Sequence, residues 1–461
     1  MNNVHMIGIG GIGMSALARL LLGNGVRISG CDLEINALAE ELKFLGAVIY
    51  RGHSPDHIQK DTDAVIYSSA IQDDAPELAA AAANNIPVFR RARMLAMILE
   101  CKQVIAVTGT HGKTTTASII AHIMNQAGWN VGFAVGGQMK GTGENARWGN
   151  SRYFVAETDE SDGTQVYMKS HVGVITNIDN DHMDYYSDIS EITGAMERFQ
   201  ENVSPAGFVF GCGDDIRVRR ILAERKDGAF SYGRDKSNDF YAHRIKVNNM
   251  SSIFQVYYQG TKMGTICLSA PGWHNIINAL AGIGVCTRLG ISFASIAAAL
   301  RVYPGVQRRL EVVFCNDKIT VIDDYAHHPT EIKAAVAAVR EKAGRSGRLW
   351  GIFQPHRFTR TRLLAEMFGG CFQGLDKLII TDIYGAGELP LPGINGRIIY
   401  SEARRRAGMD TVYIESLDDI IPYLQDHIQA GDTLLFMGAG NISRLARDVG
   451  ARINDHNKML V

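Results

Sequence analysis

Short, almost wholly apolar runs recur along the chain, each ending in glycine or polar residues and leading into a stretch with apolar positions at helical spacing. VHMIGI (4–9), a helix over 14–22 and VRISG (26–30) make a βαβ opening, and AVIY (64–67) and IPVF (86–89) continue it up to the bridging RMLAMILE (93–100). At Val104 the pattern restarts as QVIAVTGTHGKTTTASIIAHIM, a second strand, glycine turn and helix. Two such openings predict two doubly wound domains. The second runs through YFVA (153–156), VGVITNI (172–178), a region of β-hairpin character over 240–268 and alanine-rich helices ending near Leu300. Tyr303-Pro304-Gly305 reads as a hinge. Beyond it, ITVIDD (319–324), LWGIFQ (349–354), KLIITDI (377–383) and DTLLFM (432–437) alternate with helices and close on a GAGN turn, which predicts a third α/β domain. The expected division is 1–100, 101–303 and 304–461.

Composition narrows the function classes. Within 461 residues, 47 Lys and Arg balance 48 Asp and Glu, so no global basic surface exists to attract nucleic acid or an anionic membrane, and any anion must meet a local site. No apolar stretch is long enough for a signal region or a membrane span, and the seven cysteines are scattered, never in a C-x-x-C pair. A cytoplasmic protein with reduced thiols is expected.

Two loops carry the clearest chemistry. Gly8, Gly10, Gly11 and Gly13 stand in a G-x-G-x-x-G frame between strand and helix, with Asp32 closing the next strand: a loop that presents backbone N–H groups to a diphosphate. Gly109, Thr110, His111, Gly112, Lys113, Thr114 and Thr115 form a shortened P-loop, since Val107 stands where the strict pattern has its first glycine. Lys113 would reach β and γ phosphates and Thr114 a Mg²⁺ ion. The strand Tyr153–Ala156 ends in Glu157 and the cluster ETDESD, and VITNIDNDHMD sets Asn177, Asp181, His182 and Asp184 after another strand. These are the carboxyl ends of strands, where open α/β sheets bind ligands. His274, Asn275 and Asn278 open a helix, readable either as adenine contacts or as helix capping. Arg308 and Arg309 follow the hinge and would swing toward a phosphate, while Arg357 and Arg360, spaced i, i+3, are expected on one helical face suited to a carboxylate.

GIGGIGMS, TGTHGKTTT, ETDESD, NIDNDHMD, GWHNIINALA, GVQRRLE, DDYAHHP, QPHRFTRTR and DIYGAGE occur in the order seen in the Mur ligases, and the chain resembles that family, and its alanine-adding members above all, over essentially its whole length. The resemblance implies an α/β protein of three domains. These are an N-terminal Rossmann-like diphosphate-binding domain, a central P-loop ATPase-type domain and a C-terminal Rossmann-like domain. It also implies ATP-dependent joining of L-alanine to the lactyl carboxylate of UDP-N-acetylmuramate through an acyl phosphate. By the family's pattern, Lys113, Glu157, His182 and Arg309 are catalytic, and Thr114, Glu157 and His182 hold Mg²⁺. The P-loop with His274, Asn275, Asn278 and Asp324 holds ATP. The UDP group falls to Gly8 through Met14 and Ser15, Asp32, Ser68 and Ser69, and the amino acid to Arg357 and Arg360, with His328 or its neighbour His327 near the incoming amine. The family pattern has Ala at Thr158, Ser-Phe near Gly163-Thr164, Phe at Leu310 and Asp at Asn441; Glu197 lies at the spacing where some relatives carry a carbamylated lysine.

Other readings stay open on sequence alone: a relative that adds a preformed peptide, a non-catalytic sensor of UDP-sugar or ATP, and an NAD oxidoreductase, which would leave Lys113 and Thr114 idle. A monomer or homodimer is expected. Three sites on three domains must converge before chemistry, predicting an open arrangement without ligands.

Overall fold

The computed structural model of the chain describes all residues except 160–162, 181–185, 187, 249–250, 344–346, 408 and 456–461. Three sheets organise it. The first is wholly parallel, in the order Val48–Arg51, Arg27–Asp32, Asn3–Ile7, Ala64–Tyr67, Val88–Arg90. The strand order reverses between Asn3–Ile7 and Ala64–Tyr67, and a crevice opens there at the strands' carboxyl ends. Gly8 and Ser68 leave those two strands side by side.

The second sheet has ten strands. Gln103–Thr108 lies between Ser170–Ile175 and Tyr153–Glu157, all parallel, so the P-loop emerges flanked by Asn177 on one side and Glu157 on the other. Beyond Val203–Cys212 and Ala229–Gly233 the sheet ends in an antiparallel meander, Phe240–Asn248, Ser251–Tyr258 and Thr261–Leu268, where the sequence indicated hairpin character. The third sheet orders as Glu311–Cys315, Thr320–Asp324, Thr433–Met437, Leu349–Phe353, Lys377–Ile380, Asp410–Tyr413, with only the first pair antiparallel. Leu349–Phe353 and Thr433–Met437 are buried at every position, as expected of parallel strands with helices on both faces.

The units touch directly. Asn145 donates its amide to the Ile12 carbonyl and the Ser15 hydroxyl, both at 2.9 Å, tying the first unit to the second. Across the hinge, Gln307 N–H donates to the Gln138 carbonyl and the Thr330 hydroxyl donates to Asp179 at 2.7 Å. The third unit rests on the residues beside the P-loop. Among the described residues, no helix is long and apolar enough to cross a membrane.

Candidate active site

The P-loop turns where it does because two glycines, Gly109 and Gly112, have positive φ. Gly112 (φ 82°) starts the helix Lys113–Gln126, and a Cβ there would stand 2.5 Å from the Asn278 amide oxygen. Asn177 clamps the loop from the neighbouring strand end, accepting the His111 N–H and donating to the His111 carbonyl, both at 2.9 Å. Lys113 is buried, with its ammonium 3.1 Å from the Thr110 carbonyl at the mouth of the loop. The Thr114 hydroxyl donates to Glu157 Oε1 at 2.8 Å, and Glu157 Oε2 accepts the Gly136 N–H. Hydroxyl and carboxylate oxygens converging beside a phosphate loop suit a hard divalent cation. His182, the third expected ligand, and Asp181 and Asp184 lie outside the described residues.

Two cavities open on either side of this loop. One, of about 230 Å³, runs from Gly11, Gly13 and Met14 past Ser68, Ser69 and Arg91 to Glu157 and Asp159. Gly8 and Gly10 shape its entrance instead of lining it: the Gly8 N–H donates to the Cys31 carbonyl, and Asp32 accepts the Gly10 N–H at 2.8 Å, so in this structure Asp32 braces the glycine loop. Ser15 does not face the cavity, because its buried hydroxyl donates to the Ile12 carbonyl and accepts from Asn145.

The other cavity, of about 420 Å³, is lined by His111, Gly112 and Thr115, by His274, Asn275 and Asn278, and by Arg309, Asp324 and Glu331 from beyond the hinge. Burial, with Arg309 adding repulsion, pushes the His274 imidazole down to about 4, so it is neutral and able to accept or donate a single hydrogen bond. Both readings of the asparagines find a place. Asn275 donates to the Pro271 carbonyl at 2.7 Å, a helix-start contact, and Asn278 accepts from Thr116, yet both line the cavity.

Arg308 and Arg309 part company. Arg309 enters the second cavity and lies 3.9 Å from Glu331. Burial would lower its pKa, but the carboxylates of Glu331 and Asp324 outweigh that and raise it. Arg308 turns away and donates to the carbonyls of Gly438 at 2.6 Å and Gly440 at 3.0 Å, so it holds the closing GAGN turn and lines neither cavity. Asp324 fixes the bend between them: its two oxygens accept the N–H groups of Leu310 (2.7 Å) and Ala326 (2.8 Å). Arg308 and Leu310 both have positive φ, 59° and 46°, a conformation that costs about 1–3 kcal/mol per residue and is held by its surroundings.

The expectation that Arg357 and Arg360 share a helical face is corrected. Helix Phe358–Phe368 begins after Arg357, whose φ of 68° is not helical, because its N–H is taken by the Tyr384 carbonyl at 2.9 Å. Arg360 is in the helix and 3.2 Å from His356 Nδ1, which stacks on Tyr384 and lies near His327. His328 is corrected too. It is fully buried at the start of helix Pro329–Ala343; its Nδ1 accepts the Thr330 N–H, and its Nε2 points to the Asn180 carbonyl at 3.3 Å. His328 thus caps a helix against the P-loop neighbourhood, and His327 is the histidine that faces the arginine group.

Sequence reasoning missed Asp179 and Glu331. Asp179 lies 3.0 Å from His111 Nε2 and accepts from Thr330; these bonds hold its carboxyl well below the usual range. Glu331 accepts the N–H groups of His327 and His328. Burial alone would raise its pKa, but His327, His111 and Arg309 hold it well below the ordinary value. A signal for Glu331 was present: it stands three residues after the helix-capping position, where a glutamate reaches back to the cap N–H. Of the departures from the family pattern, Thr158 bonds the Val107 carbonyl within the sheet, Thr164 accepts from Arg91 at the rim of the first cavity, and Asn441 accepts from Gln354 at 2.7 Å.

A phosphate loop whose threonine leans on the acid of the next strand, with an arginine delivered across a hinge and a second crevice ending at the same acid, is the arrangement of an ATP-dependent ligase. Residues 3–103 match the Mur ligase family catalytic domain, 107–286 the Mur ligase middle domain and 308–440 the Mur ligase glutamate ligase domain. The chain is 39% identical to the UDP-N-acetylmuramate–L-alanine ligase of Carboxydothermus hydrogenoformans, over 96% of this chain and 95% of that one. It is 41% identical to that of Geotalea uraniireducens, over 95% of each. The crystal structure of the Thermotoga maritima UDP-N-acetylmuramate–alanine ligase superposes with a TM-score of 0.86 at 29% identity, covering 99% of this chain and all (100%) of that one. A murein peptide ligase from Psychrobacter arcticus shares the fold, with a TM-score of 0.72 at 24% identity over 98% of this chain and 99% of that one. The chain belongs to the Mur ligase family.

Proposed function

We propose that the chain joins L-alanine to the lactyl carboxylate of UDP-N-acetylmuramate, using ATP and releasing ADP and phosphate, as a step in peptidoglycan precursor synthesis. The observation that carries the mechanism is the Thr114–Glu157 contact, which links the two cavities. Glu157 lines the crevice that begins at the glycine loop, and its Oε1 holds Thr114, whose neighbours Gly112 and Thr115 line the crevice that holds His274 and Arg309. A carboxylate at the inner end of the first and a γ-phosphoryl at the inner end of the second would meet there.

In this reading residues 1–100 hold the UDP-sugar, 101–303 ATP and 304–461 the amino acid. Gly11, Gly13, Met14, Ser68 and Ser69 face the sugar nucleotide, while Asp32 keeps the loop in shape. Lys113 and Arg309 neutralise the phosphoryl group as it passes to the lactyl oxygen, with Glu331 aiming Arg309. Thr114 and Glu157 would hold Mg²⁺, with His182, and the ion when bound supplies charge neutralisation between nucleotide and acceptor. The asparagine and His274 set read adenine, and Asp324 sits beside the ribose end. Arg357 and Arg360 take the carboxylate of alanine, leaving its amine toward the acyl phosphate, with His356 and, beyond it, His327 the histidines on that side. A cytoplasmic location is part of the same proposal and agrees with seven free cysteines.

Phosphate release by the purified protein tests it, with ATP, Mg²⁺ and UDP-N-acetylmuramate and with L-alanine, glycine, L-serine or a free tripeptide as amine. Release that requires both the sugar nucleotide and L-alanine is expected. Release with the peptide alone would assign the chain to peptide addition, and binding without release would make it a sensor.

A further inference from the structure

The two faces of the first sheet are unequally filled. Val4 and Met6 belong to an extensive core, whereas the opposite face has only Ile7, Cys31, Val65 and Ala81 as fully buried apolar residues. Side chains alternate along a strand, so His5 shares the thin face with Ile7, and it is there that potential metal ligands collect. His5 comes from Asn3–Ile7, Cys31 from Arg27–Asp32, His53 and His57 from the loop and short turn around Pro55–His57, and Glu77 from helix Pro76–Ala83.

Their spacing is that of a coordination shell. Glu77 Oε1 lies 3.2 Å from Cys31 Sγ, 3.3 Å from His53 Nδ1 and 3.1 Å from His57 Nδ1, and Cys31 Sγ lies 3.6 Å from His53 Nδ1. One ligand atom from each of His5, Cys31, His57 and Glu77 lies within 4.8 Å of all the others. A tetrahedral zinc ion has ligand–ligand edges of roughly 3.3–3.8 Å, so a small inward adjustment completes the set.

Two atoms call for a further partner. His5 Nε2 and Glu77 Oε2 are fully buried, on residues of 0% exposure, and neither has a hydrogen-bond partner among the described residues. His5 meanwhile engages Ser29 Oγ at 2.9 Å through its other ring nitrogen, the outer contact that metal-bound imidazoles use to fix their orientation. Tyr50 stacks on His57 at 4.4 Å and fixes that ring as well. Sulfur, imidazole nitrogen and one carboxylate favour a borderline transition ion over Mg²⁺ or Ca²⁺.

We propose that His5, Cys31, His57 and Glu77 bind a structural divalent transition-metal ion, zinc foremost, with His53 as a fifth donor at the rim. On binding, the Cys31 S–H bond breaks, its proton leaves to solvent and Sγ forms a bond to the ion; no electrons change hands. The ion staples two strands, a turn and a helix across the thin face. It also sits behind the glycine loop, because the Cys31 carbonyl accepts the N–H groups of Gly8 and Ile9.

Titration of chelator-treated, full-length protein with Co²⁺ tests the site. The expected result is one equivalent bound with a near-ultraviolet thiolate-to-cobalt charge-transfer band, and zinc raising the melting temperature. Cys31→Ser/His57→Asn should lose the band and the zinc-dependent shift. Cys212→Ser, which removes the thiol beside the nucleotide cavity, should keep both; cobalt held by oxygen ligands near Thr114 gives no such band. A wild-type protein without the band, or a band unchanged in the double variant, overturns the proposal and leaves a hydrogen-bonded polar cluster. Should the double variant not fold, the wild-type and Cys212→Ser spectra decide.

Discussion

Taken side chain by side chain, the site separates groups proposed to meet phosphate from groups that hold them in place. Lys113 is buried at the loop mouth, and Lys113→Ala should lower ATP turnover by at least about 100-fold while sparing UDP-sugar affinity, since no part of the first cavity is lined by it. Steady-state rates beside calorimetric UDP-sugar binding check both halves. Arg360→Ala should act mainly on the KM for alanine, by roughly 10-fold or more, with kcat less affected. Asp323, next to the bend at Asp324, offers a pH test. It is fully buried with no hydrogen-bond partner on either oxygen among the described residues, and burial raises it to about 6, more than Arg308 can offset. A carboxyl whose folded pKa exceeds its unfolded value of 3.8 opposes folding once ionised, so this penalty is absent below about pH 4 and fully present above about pH 6. Asp323→Asn should therefore gain on the wild type by about 2–3 kcal/mol between about pH 4 and about pH 8, read from denaturant unfolding at each pH.

Among the strands and helices, the strands that were legible are short apolar runs, such as VHMIGI, AVIY, YFVA and DTLLFM, as buried parallel strands tend to be. The parallel strands Val48–Arg51, Val203–Cys212, Ala229–Gly233 and Asp410–Tyr413 mix polar or small residues into theirs and were not read. Glu311–Cys315 escaped although it holds the apolar run VVFC: it is an antiparallel edge strand, half-buried from Glu311 to Phe314 and exposed at Cys315, and it follows GVQRRL with no turn residue to mark its start. The glycine loop and P-loop were legible for the same reason that they work, since few sequences besides glycine permit their backbone. What could not be read was side-chain direction. GVQRRL gives Arg308 and Arg309 equal standing, yet the positive φ at Arg308 sends one to the GAGN turn and the other to the nucleotide cavity. Likewise, the i, i+3 spacing of Arg357 and Arg360 says nothing of the helix start falling between them. Arg308 carries a prediction of the same kind: Arg308→Ala leaves the carbonyls of Gly438 and Gly440 without their donor and should destabilise the third unit by about 2–3 kcal/mol. Arg308→Lys should recover part of this, a point charge replacing a fork, as chemical denaturation would show.

Across the three units together, the third is held over the P-loop by few contacts, and Asp179 is their centre. It accepts from Thr330, faces His111 and neighbours the carbonyl that meets His328, while Glu331 faces His111 from the third unit. The hinge strand adds backbone pairing at Met139–Val306 and Gln138–Gln307, which ties its first residues to the second unit, so a pivot that keeps this pairing falls after Gln307. Losing the Asp179 carboxylate removes the acceptor for Thr330 and one of the two carboxylates, with Glu331, that face His111. Asp179→Ala should therefore let the third unit swing away: small-angle scattering should show a larger radius of gyration than the wild type without ligands, and a return toward the wild-type value when an ATP analogue and UDP-N-acetylmuramate are added together. An Asp179→Ala profile that matches the wild type without ligands would mean that the hinge pairing and the Arg309 side hold the units together, and that Asp179 serves the loop alone.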